Sequence, residues 1–424
     1  MSSSAAPANP KLHSVSGTGR SHWYPYYAGY SPDFVADLIS HLQLDSKSTV
    51  LDPWNGSGTT TSICSIKGVP SIGFDINPSM VVVSRARLVA AHTSASLEPL
   101  LQKILAVSKA MRRPKLASDP LCSWYTLTTA RRLRSVESAI RSILVGGDTS
   151  SVVDVSNLSS LAAFYYVLLF RVTRRLAGKS TTNPTWIKVN AEDNRVSLTW
   201  EQIEFALSVE LNDIGFYDDG STEDGLQASA IVKVGDSRAQ SLKDSSVDAV
   251  ITSPPYCTRI DYAVATRVEL AVLNYSNGSD FESLRRSMLG TTLSEAHSGQ
   301  SEFRVGSFVS TLLEAIKKHP SKASAGYYYL TYNDYFNKLR RSICELGRVI
   351  RKGGSATFVV QDSHYKELHV DLALVVEQLF QDCGFRLEMK WDYPVLRSLR
   401  QINSGSRSHS GKWLPTESVL ILRK

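Results

Sequence analysis

Thr49-Val-Leu-Asp52-Pro-Trp-Asn-Gly-Ser-Gly-Thr-Thr60 is the stretch whose reading decides the fold. Thr49 to Asp52 predicts a short buried strand. Gly56 and Gly58 follow in a turn, where a missing side chain lets backbone approach a ligand closely. Thr59 to Lys67 predicts a helix, with Gly68 as its C-terminal cap. Ser71 to Asp75 predicts a second strand, and Ser79 to Ala91 a second helix. This is a βαβ opening. Asp75 ends the second strand, where a carboxylate can accept hydrogen bonds from ribose hydroxyls. The sequence holds neither GxGxxG nor GxxxxGK[ST], so dinucleotide and phosphate-loop readings lose ground. A nucleoside-type cofactor is expected.

Outward from this opening, the texture changes twice. From about Leu97 to residue 227, Leu101, Ile104, Leu105, Leu161, Phe164, Leu168 and Val172 follow helical spacing among many basic residues. Strand texture returns at Ala230 to Val234 and at Val247 to Thr252. A polar, partly helical stretch then runs to about residue 325. A helix over 332–351 follows, and Gly353-Gly354 is expected to turn the chain into a strand at Ala356 to Val360. Leu372 to Gly384 predicts the last helix; Phe385 to Asp392 and Ser418 to Leu422 predict the last strands. The expected fold class is α/β: an open sheet with helices on both faces and a large, mainly helical insertion. The expected division is a flexible arm at 1–20, a catalytic domain at 21–95 and 228–424, and the insertion at 96–227.

The chain has 424 residues, 42% hydrophobic and 21% charged, as in ordinary soluble globular proteins. A net charge of +7 suits a polyanionic partner. Five scattered cysteines without a CxxC pair point away from a disulfide framework and from structural zinc. The longest apolar run, Leu161 to Phe170, is far short of the ~20 residues a membrane span needs. No signal pattern opens the chain, so a soluble, cytoplasmic protein is expected.

The chemistry is written at Thr252-Ser-Pro-Pro-Tyr256. An exocyclic aromatic amine is a poor nucleophile, because its lone pair is delocalised into the ring. Two acceptors gripping its N–H groups favour the pyramidal nitrogen that attacks a methyl group. Pro254 and Pro255 lack N–H, so the strand ladder ends there. Each also holds the preceding residue extended, which lets the Pro254 carbonyl face a site. Ser253 supplies a second acceptor or donor. Tyr256 offers a flat face to a base extruded from its helix. Upstream, Gly235-Asp-Ser-Arg238 places Asp236 at another strand end, where it could hold an adenine amino group. A proline-ended strand and a simple turn aspartate are the plainer readings of these two motifs.

These residues resemble the amino-methyltransferases of DNA, the N4-cytosine and N6-adenine class. Asp52 to Thr60 resembles that family's cofactor loop, and Phe74 to Pro78 its second motif. Val234 to Arg238 is similar to its third, and TSPPY to its catalytic motif. His22 to Tyr30 resembles the segment that packs over the methionine end of the cofactor. Arg407 to Trp413 with Glu417 to Leu420 resembles the late motif flanking the target base.

The resemblance implies a Rossmann-like methyltransferase sheet, S-adenosylmethionine and direct methyl transfer. It assigns the cofactor to Tyr24, Tyr26, Asp52, Pro53, Gly56, Gly58, Thr59, Thr60, Asp75, Ile76, Asp236 and Ser237, and catalysis to Ser253, Pro254, Pro255 and Tyr256. It implies no metal. Serine at 253 is typical of the cytosine-N4 enzymes, whereas adenine-N6 enzymes more often carry Asp or Asn there. The cofactor motif precedes the catalytic motif here, the reverse of many N4-cytosine enzymes. The expected partner is double-stranded DNA, with a restriction or defence partner by analogy. RNA or tRNA methylation and a non-catalytic nucleic-acid-binding subunit are the competing readings. Arg171, Arg174 and Arg175, and Arg397, Arg400, Arg407 and Lys412, are candidate phosphate contacts. A solvated basic face is the plainer reading for any one of them.

Overall fold

The computed structural model describes residues 6–11, 19–26, 29–111, 119–146, 153–178, 183, 185–214, 226–257, 260–275, 278–293, 303–304, 306–395 and 415–424. In chain order the opening elements are α1 (Pro32–His41), β1 (Val50–Asp52), α2 (Thr59–Ile66), β2 (Ser71–Asp75) and α3 (Pro78–Ala86). Four helices follow: α4 (Ser94–Ala110), α5 (Leu127–Leu144), α6 (Ser160–Leu176) and α7 (Trp200–Ile214). The chain then returns to the sheet with β3 (Ala230–Val234) and β4 (Val247–Thr252). Next come α8 (Tyr262–Ala265), α9 (Arg267–Val272), α10 (Ser279–Ser287), α11 (Phe308–Lys318) and α12 (Tyr329–Val349). It closes with β5 (Ile350–Gln361), a hairpin of β6 (Ser363–Tyr365) and β7 (Leu368–Val370), α13 (Leu372–Asp382), β8 (Arg386–Pro394) and β9 (Thr416–Arg423).

Seven strands form one sheet in the order β3-β2-β1-β4-β5-β9-β8. β1 to β5 run parallel, and β9 is antiparallel to both of its neighbours. Alternation along the strands buries both faces. Val50, Ile251, Val359 and Val419 pack against Phe34, Val35, Leu38 and Cys64 of α1 and α2. Leu51, Val250, Phe358 and Leu420 pack under α12 and α13. The chain order reverses between β1 and β4, and ligands of such sheets sit beyond the strand ends at that crevice. Asp52 and Thr252 end those two strands.

The helical region is not a separate body. Its core is continuous with Met80 to Val83 of α3 and Val268 to Leu273 at α9, and nine successive residues of α6, Ala162 to Phe170, are buried. Buried Arg134 on α5 donates to Asp119 at 2.9 Å and to the carbonyls of Ala271 and Val272 at 2.9 and 2.6 Å.

One expectation is corrected. Gly353-Gly354 does not turn the chain into a strand. Both residues lie inside β5, which starts at Ile350, and the pairing with β4 shifts register between Val247 and Ala249. A Cβ on Gly354 would meet the Asp248 carbonyl at 2.8 Å, so the bulge needs glycine. Residues 6–11 of the expected flexible arm are pinned. Ala8 N donates to Asp37 at 2.8 Å, and the Tyr393 hydroxyl to the Pro7 carbonyl at 2.8 Å. Among the described residues, no helix is long and apolar enough to cross a membrane.

Candidate active site

Asp52 is 2% exposed at the end of β1, and four donors converge on it. The Thr252 hydroxyl donates at 2.6 Å, the Thr60 hydroxyl at 2.7 Å, the Tyr30 hydroxyl at 3.0 Å and the Trp54 N–H at 3.1 Å. Burial raises its carboxyl above the ordinary range, and these hydrogen bonds oppose the shift. Asp52 therefore works as a clamp. It joins the N-terminal segment, the first turn of α2 and the residue before Ser253.

The loop beyond it depends on its glycines. Gly56 has φ +49°, and a Cβ there would lie 3.1 Å from the half-buried Tyr26 ring. Gly58 has φ +84°, and its Cβ would meet Ser84 Oγ at 2.2 Å and Ser84 Cα at 2.9 Å. Asn55 fixes the same turn by donating to Ser84 at 2.7 Å. Asp75 faces this loop and accepts from Gly56 N and Asn77 N, each at 2.8 Å. Its carboxyl is pushed up to about 6, chiefly by burial, with the two backbone donors opposing and Asp52 adding.

The TSPPY loop leaves β4 beside Asp52. Pro254 is buried, and the Tyr335 hydroxyl donates to the Pro255 carbonyl at 2.8 Å. The Ser363 hydroxyl donates to the Cys257 carbonyl at 3.1 Å. Ser253 Oγ donates to the Tyr256 hydroxyl at 3.2 Å, which donates to Glu417 Oε1 at 2.9 Å. Burial raises the pKa of the Tyr262 hydroxyl, with a hydrogen bond from the Tyr256 backbone opposing the shift and the Asp75 charge adding to it.

Asp52, Gly56, Gly58, Thr60, Asp75, Ser253 and Tyr256 are thus brought together at the crevice between β1 and β4. Thr59 opens α2 beside them, and Pro53 begins the same loop. Ile76, next to Asp75, packs with Tyr262 against the α8 cluster. Other expected site residues have different engagements. The Tyr24 hydroxyl donates to Glu269 at 2.8 Å and receives Arg174 Nη1 at 2.8 Å, inside the helical core. Asp236 is gripped by its neighbour, with Arg238 Nε at 3.0 Å from each of its oxygens and Nη2 at 2.7 Å. Ser237 is buried and meets Ser342 on α12 at 2.8 Å.

The α6 arginines are also held internally. Arg171 binds Glu210, Asp213 and the Trp23 carbonyl; Arg174 binds Glu269 and the Ala265 carbonyl. Arg175 reaches Glu210 at 3.1 Å with its side chain 47% exposed. Carboxylates of α7 and α9 take the charge that composition alone offered to phosphates. Arg397, Arg400, Arg407 and Lys412 lie outside the described residues.

The chain resembles known proteins over most of its length. It is 23% identical over 409 residues to the Type II methyltransferase M.AvaI of Nostoc sp. (strain PCC 7120), covering 86% of this chain and 79% of the relative. It is 22% identical over 438 residues to the Type II methyltransferase M.BsoBI of Geobacillus stearothermophilus, covering 92% and 82%. These relatives are Type II methyltransferases. A solved structure, a putative DNA modification methylase from Thermus thermophilus, aligns over 45% of this chain and 50% of its own at 17% identity. Its TM-score of 0.22 is too low to weigh. No family model matches.

Tyr30, Arg87, Tyr262, Tyr335 and Glu417 join the site without having been singled out as site residues in the sequence. Arg87 is 3% exposed and has no carboxylate partner among the described residues. Its Nη2 donates to the Ser21 carbonyl at 2.9 Å, its Nη1 reaches Thr59 Oγ1 at 3.4 Å, and its Nε has no partner among the described residues. Burial lowers its pKa to about 10. The signal for Tyr30 and Glu417 lies in the motif segments that contain them. Nothing local marks Arg87 or Tyr335.

Proposed function

We infer that the chain is a site-specific DNA methyltransferase that transfers a methyl group from S-adenosylmethionine to an exocyclic amine, N4 of cytosine. One observation carries the reading. Thr252, the residue before the Ser-Pro-Pro-Tyr loop, is hydrogen-bonded at 2.6 Å to Asp52, the residue before the glycine loop. A loop suited to gripping an amine and a loop suited to a nucleoside are thereby locked edge to edge. The Type II methyltransferase relatives support the reaction class. Serine at position 253 supports cytosine N4 over adenine N6. Double-stranded DNA is the proposed partner, with a cognate restriction enzyme consistent with the relatives' Type II naming.

The residues present fit the cofactor. Gly56 and Gly58, both at positive φ, hold the loop in its tight turn against Tyr26 and Ser84, and the buried Arg87 Nε, without a partner among the described residues, lies beside the first turn of α2. S-adenosylmethionine would supply a methyl group already activated by its sulfonium charge. Asp75 would accept the ribose hydroxyls. Arg87 and the N-terminus of α2 would favour the methionyl carboxylate. Tyr26 would cover the loop, with Ile76 toward the adenine. Ser253 and the Pro254 carbonyl would hold the target amine while Tyr256 stacks on the base.

Nucleoside mass spectrometry tests the reaction. Purified chain is incubated with labelled S-adenosylmethionine and, separately, duplex DNA and total RNA. Labelled N4-methylcytosine from DNA is expected. N6-methyladenine corrects the base, and label confined to RNA overturns the DNA reading.

Asp75 gives a pH prediction. Ribose hydroxyls donate to the ionised carboxylate, so protonation opposes cofactor binding. Affinity for S-adenosylhomocysteine should hold steady above about pH 6 and fall roughly tenfold per unit below it. The empty fold responds in the opposite sense. Between the unfolded value of 3.8 and about 6, the folded chain keeps a proton that the unfolded chain has lost. That contribution to stability is full below the unfolded value and is lost as pH rises through the folded one. Calorimetric titration of wild type and Asp75→Asn checks the binding limb; equal slopes in both would remove Asp75 from the ribose site.

A further inference from the structure

Glu417 stands near the start of β9 and is 8% exposed. Its Oε1 accepts from the Tyr256 hydroxyl, and its Oε2 is buried without a hydrogen-bond partner among the described residues. A buried carboxylate oxygen left unpaired is costly and asks for a use. The direction of the chain leading to it is fixed at its far end. An ionised carboxylate can only accept, so Tyr256 donates to Glu417 and receives the Ser253 proton. Ser253 therefore has its hydrogen committed to Tyr256, and its lone pairs remain for a donor such as an amine. The sheet holds the three groups together. Thr252 pairs with Phe358 in β5, and Gln361 of β5 pairs with Glu417.

We propose that Ser253, Tyr256 and Glu417 form a one-way relay that takes the proton released by the target amine. The relay rests on the amino-methyltransferase reading above. In that step the amine nitrogen bonds to the methyl carbon as the carbon–sulfur bond of the sulfonium donor breaks, leaving a thioether. The nitrogen, now cationic, gives one proton to Ser253 Oγ. The Ser253 proton passes to the Tyr256 oxygen, and the Tyr256 proton to Glu417 Oε1. The products are a neutral methylated amine and a neutral carboxylic acid, which returns its proton to water. Ser253 is the catalytic residue, and Glu417 is a positioning residue that also ends the relay. The groups acting on Glu417 are Tyr256 from the loop and Lys11 from the pinned arm, and Tyr393 is its pairing partner on β8. Burial raises its carboxyl, which suits a proton acceptor, while Tyr256 and Lys11 pull it back.

The test uses the full chain as wild type, Glu417→Gln, Tyr256→Phe and the double variant. kcat for methyl transfer to duplex DNA is measured across pH, with S-adenosylhomocysteine affinity and thermal midpoint beside it. A glutamine amide can donate to Tyr256 and reverse the chain; phenylalanine keeps the ring and removes only the hydroxyl. Each single change should lower kcat by roughly 100-fold while cofactor affinity holds. The double should fall no further than the worse single. Wild-type kcat should drop as acid protonates Glu417, and Glu417→Gln should lose that limb. If Glu417→Gln fails to fold, Tyr256→Phe decides alone. Wild-type turnover by Tyr256→Phe, or losses that multiply in the double, overturns the relay. A folded wild-type chain that methylates no amine overturns the enzyme reading, and the relay with it.

Discussion

Ser253→Ala is expected to lose methyl transfer by roughly 100-fold or more while folding normally and binding cofactor as before. Ser253 is half-buried in a loop, and its hydroxyl donates to Tyr256. Removing it leaves Tyr256 anchored on Glu417 and Thr252 anchored on Asp52, so the framework survives. On the proposed reading, what disappears is an acceptor for the amine proton. The lost interaction belongs to the transition state, so kcat should fall and KM for DNA should change little. Single-turnover assays with labelled donor measure the step directly. Retained turnover would move the amine grip wholly to backbone carbonyls.

Gly58→Ala should act through the fold. A left-handed residue with a Cβ costs about 1–2 kcal/mol, and overpacking against α3 costs a further ~1–3 kcal/mol. The new methyl would meet the Ser84 backbone as well as its hydroxyl, so a rotamer change gives no escape. α2 must shift away from α3, which misplaces Thr60 and loosens the Asp52 clamp. Denaturant unfolding should show a loss of about 3 kcal/mol, and calorimetry should show weakened cofactor binding even where the chain stays folded. A variant with wild-type stability would mean that α2 and α3 separate readily.

The strand ends and their loops are legible in the sequence because their signals are local. Val50 to Gly58, Asp75 and Thr252 to Tyr256 each carry strand, turn and candidate site residue within a few positions. The partners of those residues are not legible. Asp52 is satisfied from positions 30, 60 and 252, and Glu417 meets a loop 161 positions away. The α6 arginines are a converse case. Their spacing suggests a charged outer face, and only the fold reveals Glu210, Asp213 and Glu269 beside them. Gly353-Gly354 reads as a turn in isolation and becomes a bulge because β4 lies alongside.

The continuity between the helical insertion and α3 limits how this chain can be re-engineered. Exchanging residues 94–214 for the equivalent region of a relative would strip cover from Met80, Val81, Val82 and Val83. It would also leave Glu269 without Arg174 and the Trp23 carbonyl without Arg171. The segment cannot be traded as a cassette. A workable chimera must carry α3, α9 and the Trp23–Tyr24 strap along with the four helices, so its crossover points belong in the sheet.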